Sequence, residues 1–189
     1  FLDALRQRDV YVSGLGYAAA SPGGPAPVKI LVVSQYFWPE AFIITDLCRT
    51  LRDQGHDVVV ATGKPNYPDG QVFPGYAETG TQLEQLDGTL PIYRVPMRGR
   101  RAGGALNLIR NYFSFAWSGA RWLPSLLRGR TFDAILVFAP SPLTMAIPAI
   151  VLKYRLKAHL AIWVQDLWPE SLAATGYVRN RFALSLVGV

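Results

Sequence analysis

From Val28 onward, apolar runs of strand length alternate with stretches of helical periodicity. Lys29-Ile-Leu-Val-Val33 and Asp57-Val-Val-Val-Ala61 are nearly unbroken apolar runs, the pattern of strands covered on both faces. Between them Phe42, Ile43, Leu47 and Leu51 share one side of a predicted helix over 40–54, which Gly55 ends. Pro91–Pro96 reads as a third strand, and residues 104–127 as a long helix with Pro124 near its end. A strand over Ala134–Phe138 follows, then a helix over 141–157 with Ser141 as N-cap and Pro142 at the first helical position. His159–Val164 is the last strand. This alternation predicts an α/β fold, a Rossmann-like, doubly wound parallel sheet. Ligands of such sheets gather at the carboxyl ends of the strands, which selects three loops, 34–40, 62–76 and 165–171. The Gly/Pro/Asn-rich stretch 63–80 is too long to be a plain connection.

Composition narrows the class. The 189 residues suffice for one sizeable α/β domain, and 50% hydrophobic with 17% charged residues excludes wholesale disorder. Ala134–Leu152 carries no charge over a length that could cross a bilayer, but Pro140, Pro142 and Pro148 interrupt it, so a buried strand followed by a helix is the better reading. The single cysteine, Cys48, excludes a disulfide framework and a multi-cysteine zinc site; it falls in the first helix and is expected to be buried. His56 and His159 stand alone and are expected to serve structure. There is no D-x-D pair and no Walker A loop.

Residues 1–27 read as an extension closed by the linker Ser21-Pro-Gly-Gly-Pro-Ala-Pro27. Within it Gly14-Leu-Gly16-Tyr-Ala-Ala19 matches a dinucleotide fingerprint after a short strand, Asp9–Ser13. Such a fingerprint requires a helix to follow, and Ser21-Pro-Gly-Gly24, which stops any helix within about one turn, argues against it. Residues 28–189 are the expected domain.

Charge is unevenly placed. Between Gly88 and Phe132 there is no acidic residue and there are eight arginines, more than the net charge of +6 of the whole chain. Such a segment suits anionic partners. Within it, Arg98, Arg100 and Arg101 precede the long helix. That helix gathers Asn107, Arg110, Asn111, Ser114, Ser118 and Arg121 into a polar stripe beside a wide aromatic sector. A basic amphipathic helix of this kind suits a membrane interface; an ordinary helix packing one face on the sheet is the alternative.

The three loops hold the candidate chemistry. Ser34-Gln-Tyr-Phe-Trp-Pro-Glu40 offers Gln35, Tyr36, Trp38 and Glu40; its aromatics serve either to stack on a sugar or lipid-linked group or to anchor the loop. The helix N-terminus beyond it suits a diphosphate. Gly63-Lys-Pro-Asn-Tyr-Pro-Asp-Gly70 offers Lys64, Asn66 and Tyr67, or is a rigid turn. Trp163-Val-Gln-Asp-Leu-Trp-Pro-Glu170 places Asp166 and Glu170 after a buried strand, where Trp163 and Trp168 would desolvate them. Desolvation raises a carboxylate pKa and makes a better base; helix capping is the competing role.

Together Lys29–Glu40, Gly63–Gly70, Pro140-Ser-Pro142 and Trp163–Ser171 resemble the N-terminal half of a family 4 glycosyltransferase, of the kind found in bacterial capsule, colanic acid and O-antigen assembly. The resemblance covers residues 28–189. It implies a GT-B architecture, with an acceptor-side domain facing a donor-side domain across a cleft. It implies retaining sugar transfer from a nucleotide-sugar co-substrate, with no metal and no other cofactor. The implied acceptor is a lipid-linked glycan at the cytoplasmic face of the inner membrane, with no nucleic acid as partner. Many members place a His where this chain has Gln165, so that role does not transfer. Asp166 is the expected polar group at the reacting hydroxyl or sugar, with Glu170 second and Gln165 and Trp168 lining the site. Gln35 to Glu40 would line the cleft. Arg98, Arg100, Arg101, Arg110 and Arg121 would meet membrane and pyrophosphate. The donor half is expected outside this chain, which alone is not expected to turn over. Two other readings stay open: a non-catalytic acceptor subunit of a split transferase, and an oxidoreductase using Gly14–Ala19.

Overall fold

The computed structural model describes residues 26–101, 104–140 and 142–165. Six strands form one sheet. They are β1 (Lys29–Ser34), β2 (Asp57–Thr62), β3 (Gln82–Leu86), β4 (Leu90–Arg94), β5 (Ala134–Ala139) and β6 (His159–Val164), in the order β3-β4-β2-β1-β5-β6. All neighbours are parallel except β3 and β4. Helix α1 (Ile43–Asp53) joins β1 to β2, α2 (Ala105–Leu126) joins β4 to β5, and α3 (Ile147–Leu156) joins β5 to β6 after a 3₁₀ turn, Leu143–Ala146. The chain moves from β1 one way to β2 and from β5 the other way to β6, the doubly wound arrangement expected of a Rossmann-like fold. The direction reverses between β1 and β5, where such folds open a crevice.

Alternation within the strands sends side chains to two cores. Ile30, Val32, Val58, Val60, Leu136 and Phe138 pack under α1, which contributes Ile44, Cys48 and Leu51. Leu31, Val33, Val59, Ala61, Ile135 and Val137 pack under α2 and α3, with Phe115, Leu123, Ala149 and Leu152. Cys48 is fully buried as expected, and burial pushes its thiol up to about 12. His56 is a buried structural group whose Nδ1 accepts the Val28 N–H at 3.3 Å. Gly55, at φ +89, ends α1. Its N–H donates to the Arg52 carbonyl and that of His56 to the Leu51 carbonyl, a two-bond C-terminal cap.

The structure corrects several boundaries. Helix α1 begins at Ile43, not at residue 40, because Glu40 is bound into the preceding loop. The helix expected from 141 begins instead as the 3₁₀ turn after Pro142, and α3 opens at Ile147 with Pro148 in its first turn. Ser141 lies outside the described residues, and so do residues 1–25, including the Gly14–Ala19 motif. The third parallel strand is one arm of a hairpin. Gln82-Leu-Glu-Gln-Leu86 pairs antiparallel with it, and Asp87 (φ 51) and Gly88 (φ 73) make the turn. An Asp-Gly pair between alternating residues was the available signal. Asp87 then accepts Arg49 at 2.9 Å and Arg52 at 3.4 Å, which ties the hairpin to α1.

Helices α2 and α3 approach closely at Gly119, where an added Cβ would stand 2.5 Å from Pro148 Cγ. Gly119→Val is therefore expected to lower stability by about 2 kcal/mol through overpacking. Thermal denaturation checks it, and an unchanged midpoint would show that the two helices separate freely.

Candidate functional site

The carboxyl ends of β1, β2 and β4 meet in a buried polar cluster. Its centre is Glu40. One carboxylate oxygen accepts the Phe37 N–H at 3.1 Å. The other accepts the N–H groups of Asn66 and Tyr67, both at 2.8 Å. The loop after β1 is thus fastened to the loop after β2 through a single side chain. Burial pushes the Glu40 pKa above the usual carboxylate range, opposed by these three N–H groups and by Arg94.

Arg94, at the end of β4, is fully buried with every arm of its guanidinium engaged. Nε pairs with Glu84 on β3 at 2.6 Å, Nη1 donates to the Gly63 carbonyl at 3.0 Å, and Nη2 donates to the Trp38 carbonyl. Its guanidinium also covers the Tyr76 ring at 4.9 Å. Lys64, buried, donates to Gln82 Oε1 at 3.1 Å. The hairpin thereby braces both loops.

A second network reaches α2. Gln35 Nε2 donates to Asn111 Oδ1 at 2.7 Å and to the Tyr36 hydroxyl at 3.2 Å. Asn111 Nδ2 donates to the Arg98 carbonyl at 2.6 Å, and the Arg100 N–H donates to Asn66 Oδ1 at 3.3 Å. Tyr36 stacks on Phe42, and Tyr67 leans against both rings. The Arg100 guanidinium lies 5.2 Å from the Tyr36 and Tyr67 ring centres, and Nη2 donates to the Tyr112 hydroxyl. Gln35 Oε1 and the Nε atoms of Arg98 and Arg100 are buried without a hydrogen-bond partner among the described residues, so the cluster holds unused polar capacity.

Beside it opens a pocket of about 360 Å³ lined by Pro68, Asp69, Gly70, Arg100, Arg101, Gly104 and Leu108, within the range of small-ligand sites. Gly70, at φ +80, is required there, since a Cβ would fall 2.0 Å from the Arg101 carbonyl oxygen. Arg101 is exposed and lies 3.9 Å from Glu78.

The structure thus brings together Gln35, Tyr36, Glu40, Asn66, Tyr67, Arg98 and Arg100, with the Trp38 backbone and Lys64 at the margin. Gln165 is exposed at the end of β6, its N–H donating to the Ala139 carbonyl at 3.0 Å. Asp166, Trp168 and Glu170 lie outside the described residues. Arg110 and Arg121 are not in the cluster; both are exposed on the far side of α2, where Arg121 covers the Trp122 ring. Sequence reasoning missed Arg94, Glu84 and Phe42 and gave Asn111 no role in the site. A lone charge closing the apolar strand Ile92-Tyr-Arg94 was the signal for the first.

A family model described as a glycosyl transferase 4-like domain matches residues 41–187. No curated protein matches the chain.

Glu40→Ala leaves three N–H groups without their acceptor, two of them on the second loop, and is expected to cost on the order of 3 kcal/mol. Glu40→Gln turns one acceptor into a donor and costs less. The two forms of Glu40 also differ in pH response. A folded-state pKa above the unfolded one gives stability that is present at low pH and lost as pH rises through the raised value. The deficit of Glu40→Gln against wild type should therefore narrow as pH rises from the ordinary carboxylate range toward neutrality. Chemical denaturation across that range measures it, and a widening deficit would contradict the assignment.

Proposed function

The chain belongs to the glycosyl transferase 4-like family, and we propose that it is the acceptor-binding half of a retaining glycosyltransferase. The reaction is transfer of a sugar from a nucleotide-sugar donor to a lipid-linked glycan in cell-surface polysaccharide assembly, at the cytoplasmic face of the inner membrane. The donor is held mainly by a facing domain, and no metal or further cofactor takes part. The observation that carries this reading is the family match together with an arginine-lined pocket beside a tyrosine cluster at the carboxyl ends of the strands.

The chemistry of that pocket fits such an acceptor. Arg100 presents a guanidinium between tyrosine faces, half-exposed and without a carboxylate partner among the described residues. Guanidinium groups match phosphate oxygens in charge and geometry, so Arg100, with Arg101 and Arg98 beside it, meets the acceptor diphosphate. Tyr67, 41% exposed, offers a ring face to the first sugar. Gln35 and Asn66 hold the walls. Asp166 is the proposed contact of the reacting hydroxyl or sugar, with Glu170 second and Gln165 and Trp168 as further substrate-binding residues. Much of the acceleration comes from holding donor and acceptor in register.

The test uses the complete gene product with membranes and a panel of nucleotide sugars, following sugar transfer into lipid. Wild type should transfer from one donor. Arg100→Gln should lower kcat/KM by about tenfold to hundredfold through the lost charged hydrogen bonds, and Asp166→Asn should abolish transfer while leaving the fold intact. Transfer unaffected by Asp166→Asn would remove that residue from the reaction. Failure with every donor would overturn the reading.

A further inference from the structure

Helix α2 divides its apolar sector between two sides: Phe115 and Leu123 face the sheet, while other large apolar residues face solvent. Asn111 of the polar stripe is fully buried, and Ser114 is half-buried, donating to the Asn111 carbonyl and accepting the Arg98 N–H. The solvent side carries Leu106, Ile109, Phe113 and Trp117, spaced one helical turn apart, with Trp117 76% exposed. The 3₁₀ turn and the neighbouring helix α3 also expose an apolar stripe. Leu143, Ile147, Ile150 and Tyr154 recur at i, i+4, i+7 and i+11, with Tyr154 75% exposed. The two helices touch at Gly119 and Pro148 and cover the same side of the sheet. Their outer surface is therefore a continuous layer bearing two apolar stripes.

The charge on this layer has one sign. Neither helix contains an acidic residue. Arg110 and Arg121 flank the first stripe, and Lys153 and Arg155 the second. At the end of the layer remote from the candidate site, a groove of about 620 Å³ is lined by Arg121, Arg128, Arg130 and Arg155. Arg130 is steadied by the Tyr93 hydroxyl at 3.1 Å. None of the four has an acidic partner among the described residues. No described helix is long and apolar enough to cross a membrane. Exposed aromatic and aliphatic stripes bordered by arginine, with no acid among them, complement a surface that is apolar below and anionic above.

We propose that the α2–α3 layer docks in the interface of an anionic bilayer and that the four-arginine groove receives a phospholipid headgroup phosphate. This deepens the membrane-facing part of the proposed function and rests on it only for orientation. Two helix C-termini also end at this groove, and their carbonyls favour cations; a purely structural role for the arginines is thus the alternative to separate.

Vesicle co-sedimentation of the chain, without donor or acceptor, tests the proposal apart from transfer. Binding to vesicles of phosphatidylcholine with phosphatidylglycerol should exceed binding to phosphatidylcholine alone and weaken with salt. Arg128→Gln with Arg155→Gln should weaken it about fivefold per arginine removed, with an unchanged melting temperature. Phe113→Ser with Trp117→Ser, both on the surface, should abolish it. Equal binding to neutral and anionic vesicles, or arginine variants that lose stability but not vesicles, would overturn the headgroup site. Undiminished binding by the Phe113/Trp117 variant would overturn the face, as would a vesicle-independent dimer that this variant dissociates. In the complete gene product, sugar transfer to a soluble acceptor would persist in either case if the proposed function holds.

Discussion

A carboxylate taken out of water must be met on the spot by donors, and Glu40 is met by three backbone N–H groups from two different loops. Everything at the carboxyl ends of the strands depends on that arrangement. It holds the aromatic loop after β1 at a fixed distance from the Asn66–Tyr67 turn, and so brings Tyr36, Phe42 and Tyr67 into ring contact. Arg94 provides the compensating positive charge and reaches carbonyls of both loops. With both oxygens of Glu40 engaged, the side chain frames the site, and the groups left facing outward are Tyr67, Arg100 and Arg101. A rigid buried frame that presents a few exposed cationic and aromatic groups would suit the proposed charged acceptor, because the ordering cost is already met in the folded protein.

The parallel strands were legible because burial on both faces writes itself as continuous apolar runs, as in Lys29–Val33 and Asp57–Ala61. The β3 strand was not. Gln82-Leu-Glu-Gln-Leu86 is an edge strand with one face open, and its polar side chains serve Arg94, Lys64 and Tyr76, so its composition resembles a loop. The candidate loops were legible from their position at strand ends and their unusual aromatic content. The partnerships inside them were not, since Asn111 and Arg94 come from 76 and 59 positions beyond Gln35 and are brought there only by the crossovers.

Helix α2 shows why periodicity alone is ambiguous. It reports that one face differs from the other, not which one meets the sheet. Polar residues would normally face water, yet here Asn111 is drawn inward because the loops below it expose carbonyls and amides that need partners, and Gln35, Asn66 and Arg98 supply the matching groups. Once Asn111 points inward, geometry forces Phe113 and Trp117 outward. The exposed apolar stripe is in this sense a consequence of the site: the inward face that carries Asn111 also takes Phe115 and Leu123, and Phe113 and Trp117, on the opposite side, are left to the surface.

That coupling gives α2 two faces with complementary uses. Asn111, Tyr112 and Leu108 border the cluster and the pocket, while Phe113, Trp117 and Arg121 look the opposite way. With the outer face in the headgroup layer, the pocket would stand about one helix diameter, ~10 Å, above it. On the proposed reading, a lipid-linked diphosphate would have to rise only that far to reach Arg100, while its tail stayed in the bilayer. The same helix would then set both the depth of docking and the height of the acceptor. The arginines at the distant groove would fix the tilt of the layer, since attachment at the stripes alone leaves rotation about α2 free. Docking depth and acceptor height would follow from the side of α2 that Asn111 turns inward, and tilt from the arginines of the groove.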